Sequence, residues 1–177
     1  FARAERRAMY ASGEQSQEDL VEYAQRFETF SDKVRLLGGE DSADAITEAA
    51  EEFKPKLLVV DSAQVVGKED SEAKVGSPQA VEDIAQWFTS FCKKTSTAVV
   101  IVCHVTSLGD FAGGTRIQHL VDALVMLTEA GDQETGTQNA REIWISRKNR
   151  YGENDVREIL EMTSRGLQTP SRELLKR

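Results

Sequence analysis

The run Leu57-Leu58-Val59-Val60-Asp61-Ser62 sets a carboxylate at the tip of an apolar tetrad. Such a run fits a strand covered on both faces of a parallel sheet, and an Asp at its exit can orient the water shell of a Mg2+ ion bridging nucleotide phosphates. The same Asp could instead cap the turn that follows, because Asp side chains readily bond nearby backbone amides. Glu14 follows the short run Ala8 to Ser12 and Gly13. A carboxylate there can polarise a water for attack on a γ-phosphate, or stand in solvent and support the turn. His104 closes the apolar run Ala98 to Cys103, with Thr106 and Ser107 as polar neighbours. A lone imidazole in that position is either a satisfied structural side chain or a polar tip offered to a ligand. In Ser146-Arg147-Lys148-Asn149-Arg150-Tyr151-Gly152, Lys148 and Arg150 flank a tight turn. Together they can reach an anion, or form a solvated hairpin.

The elements that must position these residues alternate. Ala8 to Ser12 reads as a strand, and Ser16 to Phe30 as a helix in which Leu20, Val21, Ala24, Phe27 and Phe30 share a face. Ser16 with Asp19 has the spacing of a capping start. Val34 to Leu37 gives a second strand, Gly38-Gly39 a turn, and Ser42 to Phe53 a helix closed by Pro55. After Leu57 to Val60 come a polar loop from Gly67 to Pro78, a helix from Ala80 to Lys94, and the continuous apolar run Ala98 to Cys103, which reads as a buried strand. The stretch Val105 to Arg116 is rich in Gly and Thr, and Ile117 to Ala123 leads into a strand over Leu124 to Thr128. Turns over Gly131 to Asn139 and Lys148 to Asn154 separate two alternating runs, Arg141 to Arg147 and Val156 to Met162, which make an antiparallel meander. The class is therefore α/β, with a mostly parallel sheet followed by a meander. Ligands bind at the carboxyl ends of strands in such sheets, so Glu14, Asp61 and His104 are expected at one edge.

Composition narrows the function. The chain has 177 residues, the size of one domain, with 40% hydrophobic and 29% charged residues, which excludes disorder as the default state. Its longest apolar run, Ala98 to Cys103, is far below the roughly 18 residues that span a bilayer, and no apolar signal core opens it. A cytoplasmic location without membrane contact is expected. The net charge of -8 argues against coating nucleic acid with the whole surface, so any DNA contact must be focal. Cys92 and Cys103 match neither a metal knuckle nor a disulfide framework, and two histidines, His104 and His119, are too few for a multi-histidine metal site.

Taken in order, Tyr10-Ala-Ser-Gly-Glu-Gln-Ser16, Val59-Val-Asp-Ser-Ala-Gln64, Cys103-His-Val-Thr106, Ala112-Gly-Gly-Thr-Arg116 with His119-Leu-Val-Asp122, and Lys148-Asn-Arg-Tyr-Gly152 followed by Glu161-Met-Thr163 and Gly166-Leu167 form a recognisable set. They resemble the ATPase core of the bacterial RadA (Sms) family, relatives of RecA and of DnaB-type replicative helicases. The resemblance runs from about Met9 to Leu174. It implies a RecA-like three-layer sandwich over residues 1–177, acting as one core, with ATP and Mg2+ as cofactors. It also implies an ATP-driven motor on single-stranded DNA that promotes branch migration in recombination and repair, as a hexameric ring that can meet a recombinase.

On that resemblance Glu14 positions the lytic water, Asp61 holds Mg2+ through water within its Walker B strand, and Ser62 and Gln64 lie in the same nucleotide site. His104 senses the γ-phosphate, and Lys148 and Arg150 project into a neighbouring subunit's nucleotide. Loops Val65 to Ser77 and Val105 to Arg116 face the ring channel, with Lys68, Lys74, Thr115 and Arg116 as DNA contacts, opposed by Glu69, Asp70, Glu72 and Asp110.

Five features depart from the family pattern. The phosphate-cradling glycine loop with its Lys and Ser or Thr is not among these residues, and neither are the four-cysteine zinc module and the protease-like domain. The chain is thus expected to begin after the phosphate-loop helix and to have no appreciable ATP affinity by itself. Ser107-Leu108 stands where the family commonly has Lys-Glu, and Tyr151 where it usually has Phe. The rival readings are a RecA-like assembly module that does not hydrolyse ATP, and a DnaB-like replicative helicase core, which shares the two-cation turn; Cys103-His-Val-Thr106 favours RadA over the latter.

Overall fold

In the computed structural model, which describes residues 6–27, 30–104, 114–130 and 140–170, parity along two strands builds the first core. Strand β1 (Ala8–Ser12) lies between β2 (Val34–Gly38) and β3 (Leu57–Asp61), and β3 pairs with β4 (Ala98–Ile101), giving a parallel sheet of order β2-β1-β3-β4. Met9 sits beside Leu58 and Ala11 beside Val60, and all four are sealed from solvent. Successive side chains of a strand point to opposite faces, so Tyr10, Val59 and Asp61 share the other, half-buried face.

Helices α1 (Gln17–Ala24), α2 (Ala43–Phe53) and α3 (Pro78–Thr95) alternate with these strands. Ala43, Ile46 and Ala50 on α2, and Val81, Ile84, Ala85 and Phe88 on α3, are buried at helical spacing. Each helix starts on a serine. Ser16 and Asp19 form the full reciprocal capping box, and Ser42 and Ser77 accept from Ala45 and Ala80. Pro78 is the first residue of α3 rather than the end of the loop, because a missing N–H is harmless in a first helical turn.

Two expectations change here. The first helix stops at Ala24 instead of Phe30, since Phe27 and Phe30 find no core and stay 53% and 45% exposed. The run Ala98 to Cys103 is not a continuous buried strand. β4 ends at Ile101, and its residues alternate exposed and half-buried, because it lies at the end of the four-stranded sheet. Val102 nevertheless stays tied to β3, its amide donating to Val60 O at 2.9 Å and its carbonyl accepting from Ala63 at 2.9 Å.

The chain divides into two compact units, residues 1–120 and 121–177. The first also contains α4 (Gly114–Leu120), so Thr115 and Arg116 lie on a helix rather than in a loop. The second is an antiparallel sheet of order β5-β6-β7-β8, made of β5 (Ala123–Glu129), β6 (Ala140–Asn149), β7 (Val156–Thr163) and β8 (Gly166–Gln168). Ile143 and Ile145 oppose Leu127 and Val125, with Trp144 on the other face. β6 continues to Asn149, so Lys148 belongs to the strand and the turn starts only at Arg150. Among the described residues no helix is long and apolar enough to cross a membrane.

Gly38 is the tightest junction of the first unit. A Cβ there would stand 2.5 Å from Gln17 N and 2.6 Å from Ser16 C, both backbone atoms that cannot swing aside. Gly38→Ala is expected to lower stability by about 1–3 kcal/mol, the usual cost of overpacking. Urea unfolding would read this as a lower midpoint at unchanged slope, and an unchanged midpoint would contradict it.

Candidate functional site

Register brings the site together. Ser12 lies opposite Asp61, so β1 and β3 leave the sheet on the same rim, and the amide of Gly13 donates to Asp61 O at 3.0 Å. A Cβ at Gly13 would come within 2.8 Å of Val65 Cγ2 and 3.3 Å of the Glu40 carbonyl, so this turn accepts no side chain without displacement. The buried hydroxyl of Ser12 accepts from the amides of Glu14 and Gln15 at 3.3 and 3.1 Å, fixing the chain just where Glu14 departs.

The side chains at the rim are crossed between strands. From the end of β3, Ser62 Oγ donates to Glu14 Oε1 at 2.5 Å. From β1, Tyr10 donates its hydroxyl to Asp61 Oδ2 at 2.5 Å. His104 Nε2 lies 3.4 Å from the same Glu14 Oε1, and Gln64 Nε2 donates to His104 O at 3.4 Å. Glu14 is 35% and His104 59% exposed through their side chains, so a ligand can reach both. Glu14, Asp61, Ser62, Gln64 and His104 therefore gather at one rim. Ser62 is itself fully buried and turned to Glu14, which makes it a holder of that carboxylate.

Burial first, then the hydrogen bond to Asp61 and the charges of Asp61 and Glu14, push the Tyr10 phenol well above its usual range. It remains a donor at neutral pH. Burial raises the Cys103 thiol from 9.0 to about 11. The Asp61–Ser62 peptide bond is cis.

The donor set fits Mg2+. Asp61 Oδ2 accepts from Tyr10, which leaves the other carboxylate oxygen for a cation. Among the described residues no group of three His, Cys, Asp or Glu side chains could cage a metal. Mg2+ suits such a place because it keeps most of its waters and uses one or two carboxylates together with substrate phosphates.

The remaining predicted residues lie elsewhere. Lys68 carries its ammonium 5.3 Å from the Trp87 ring centroid, in a cleft shared with Asp70, Ser71 and Asp83. Lys74 is exposed in the loop before α3. Arg116 Nη1 is 3.5 Å from Glu82 Oε1 on α3, while the side chain of Thr115 and residues 105–113 lie outside the described residues. In the second unit Arg150 holds Asp122 twice, through Nη1 to Oδ1 at 2.6 Å and through its amide to the Asp122 carbonyl at 2.8 Å. Sequence reasoning passed over Tyr10, Ser12 and Asp122. The available signal for the first two was parity, since Tyr10 and Ser12 share the strand face of Glu14's turn.

Solved structures share this fold. An ATPase domain superposes with a TM-score of 0.75 at 11% identity, covering 95% of this chain and 76% of that one. A DnaB-like replicative helicase, solved with its interactions with primase, gives 0.73 at 11% identity, covering 95% of this chain and 51% of that one. The architecture is thus the RecA-like α/β fold of helicase ATPase domains. No protein-family model matches the chain. DNA repair protein RadA of Escherichia coli is 34% identical over 165 residues, 93% of this chain and 34% of that protein. RadA of Haemophilus influenzae is 32% identical over 160 residues, 90% of this chain and 33% of that protein. The chain is a homologue of bacterial RadA, and it spans about a third of the length of these relatives.

Alkaline pH provides a test of the half-buried Tyr10 and Cys103. Tyr10 and Cys103 hold their protons more tightly in the fold than in the unfolded chain, so between pH 9.0 and about 11 the unfolded state binds fewer protons. Stability must then fall as pH rises through that window. Thermal unfolding is expected at a lower temperature at the upper end than at pH 8, with Cys103→Ser weakening the dependence; a flat profile would rule out a thiol held protonated by the fold.

Proposed function

We propose that this chain is the catalytic part of a RadA-type, ATP-dependent motor acting on single-stranded DNA in recombination and repair. The observation that carries this reading is the convergence of Glu14, Asp61 and His104 at the carboxyl rim of a parallel sheet, within a fold shared with helicase ATPase domains. Glu14, held by Ser62 and by the Ser12 turn, orients the attacking water and draws its proton toward Oε1 or Oε2. Asp61 offers its free oxygen to the water shell of Mg2+, which when bound neutralises charge on the phosphates. His104 shares Glu14 Oε1, so a ligand that pulls Glu14 toward water also releases the imidazole. Its carbonyl accepts from Gln64, which ties His104 to the segment that leaves β3.

Lys148 and Arg150 act across a ring interface, where a positioned arginine is worth roughly 10³ to 10⁵ in rate. Arg150 must exchange Asp122 for phosphate to do so. Both side chains of that pair are more than half exposed, and exposed pairs contribute only about 0–1 kcal/mol, so the exchange is cheap. Lys68, Lys74 and Arg116 supply the DNA contacts, and a hexamer with a recombinase nearby is the assembly this motor requires.

The test uses a polypeptide in which a glycine-rich phosphate loop precedes residue 1. Glu14→Gln is expected to cut DNA-stimulated ATP hydrolysis by about 10² to 10⁴ while ATP binding persists. Hydrolysis that ignores single-stranded DNA, or that survives Glu14→Gln, would overturn the motor; binding without any turnover would identify a non-catalytic assembly module. With few basic side chains available, DNA affinity should fall with salt on a shallow slope, about 0.7 per phosphate neutralised.

A further inference from the structure

Tyr10 and Asp61 are diagonal neighbours. Tyr10 is in register with Val59 and Ser12 with Asp61, so the phenol and the carboxylate share one face, two residues out of step. Side chains two residues apart along a strand lie on the same face, so a long aromatic side chain can reach across to the neighbouring strand. The hydroxyl makes that contact at 2.5 Å on Asp61 Oδ2. The backbone of Asp61 is held as well, its carbonyl accepting from the amide of Gly13 at 3.0 Å. The carboxylate is therefore fixed in rotation and left with one oxygen to offer.

That restriction matters for which cation the rim accepts. Ca2+ takes six to eight oxygens and readily chelates a carboxylate through both of its oxygens, whereas Mg2+ demands an octahedron, keeps its waters and needs only one carboxylate oxygen or a water between. We propose that Tyr10 is a positioning residue that sets metal specificity: by occupying Asp61 Oδ2 it denies Ca2+ a chelating carboxylate and leaves the single-oxygen contact that suits Mg2+. The inference rests on the metal role of Asp61 proposed above.

Tyr10→Phe keeps the ring and its packing and returns Oδ2 to the solvent side. The 177-residue chain, labelled for NMR, would be titrated separately with MgCl2 and CaCl2 while the amides of Gly13, Asp61 and Ser62 and the Asp61 carboxyl carbon are followed. In the parent, Mg2+ should bind at least as tightly as Ca2+. In Tyr10→Phe the ratio of Ca2+ to Mg2+ affinity should rise about tenfold, the scale of one hydrogen bond to a charged group. A purely structural role would weaken both ions equally, so an unchanged ratio in folded Tyr10→Phe overturns the inference. Tighter Ca2+ than Mg2+ in the parent overturns it without recourse to the variant. Shifts at these positions with neither ion would overturn the inference, since a rim that binds no cation cannot choose between two, whereas shifts with an unchanged ratio overturn it and leave the metal role of Asp61 standing.

Discussion

Everything at the rim depends on β1 pairing with β3 in parallel so that Ser12 faces Asp61. A slip of β1 by one residue would exchange its two faces. Met9 and Ala11 would leave the core they share with Leu58 and Val60, and Tyr10 would turn away from Asp61. The register is thus fixed by hydrophobic burial on one face, and the polar face inherits its geometry from that choice. The core forms first in importance, and the chemistry is placed by it.

On the polar face, each strand supplies a neutral hydroxyl to the other's carboxylate. Tyr10 of β1 holds Asp61 of β3, and Ser62 beyond β3 holds Glu14 beyond β1. Two carboxylates close together would otherwise repel and sample many rotamers. A neutral donor on each reduces that freedom without adding charge. Hydrogen bonds to charged groups are among the stronger ones in proteins, so each holder is well matched to the task.

Much of this could be read from residue order. Apolar runs ending in Glu14, Asp61 and His104 mark strand exits, and the rule that parallel strands present ligands at their carboxyl ends brings them together. The capping box at Ser16 was visible in its spacing as well. Other features were hidden for physical reasons. The bond from Tyr10 to Asp61 joins residues 51 positions apart and exists only once the sheet order β2-β1-β3-β4 is known. Val99 and Val100 look like core in any pattern, yet β4 is the last strand of its sheet among the described residues, and Val100 stays 49% exposed. Arg150 reads as a free cation until β5 and β6 bring Asp122 beside it.

The same pairing governs how an acidic chain can meet a polyanion. Arg116 sits by Glu82, Arg150 by Asp122, Arg141 by Glu129, and Arg157 by Glu142. Each cation already has a carboxylate, so a phosphate gains little by simple attraction. What it gains is exchange: exposed pairs contribute about 0–1 kcal/mol and are easily given up, whereas a nucleic acid backbone releases condensed counterions for each phosphate that is neutralised. Binding built on such exchange is local, reversible and sensitive to salt, and the net charge of -8 prevents it from spreading over the surface. Under the proposed function, contacts of that kind suit a motor that grips and releases a strand in each cycle, since tighter ones would hold the strand between steps.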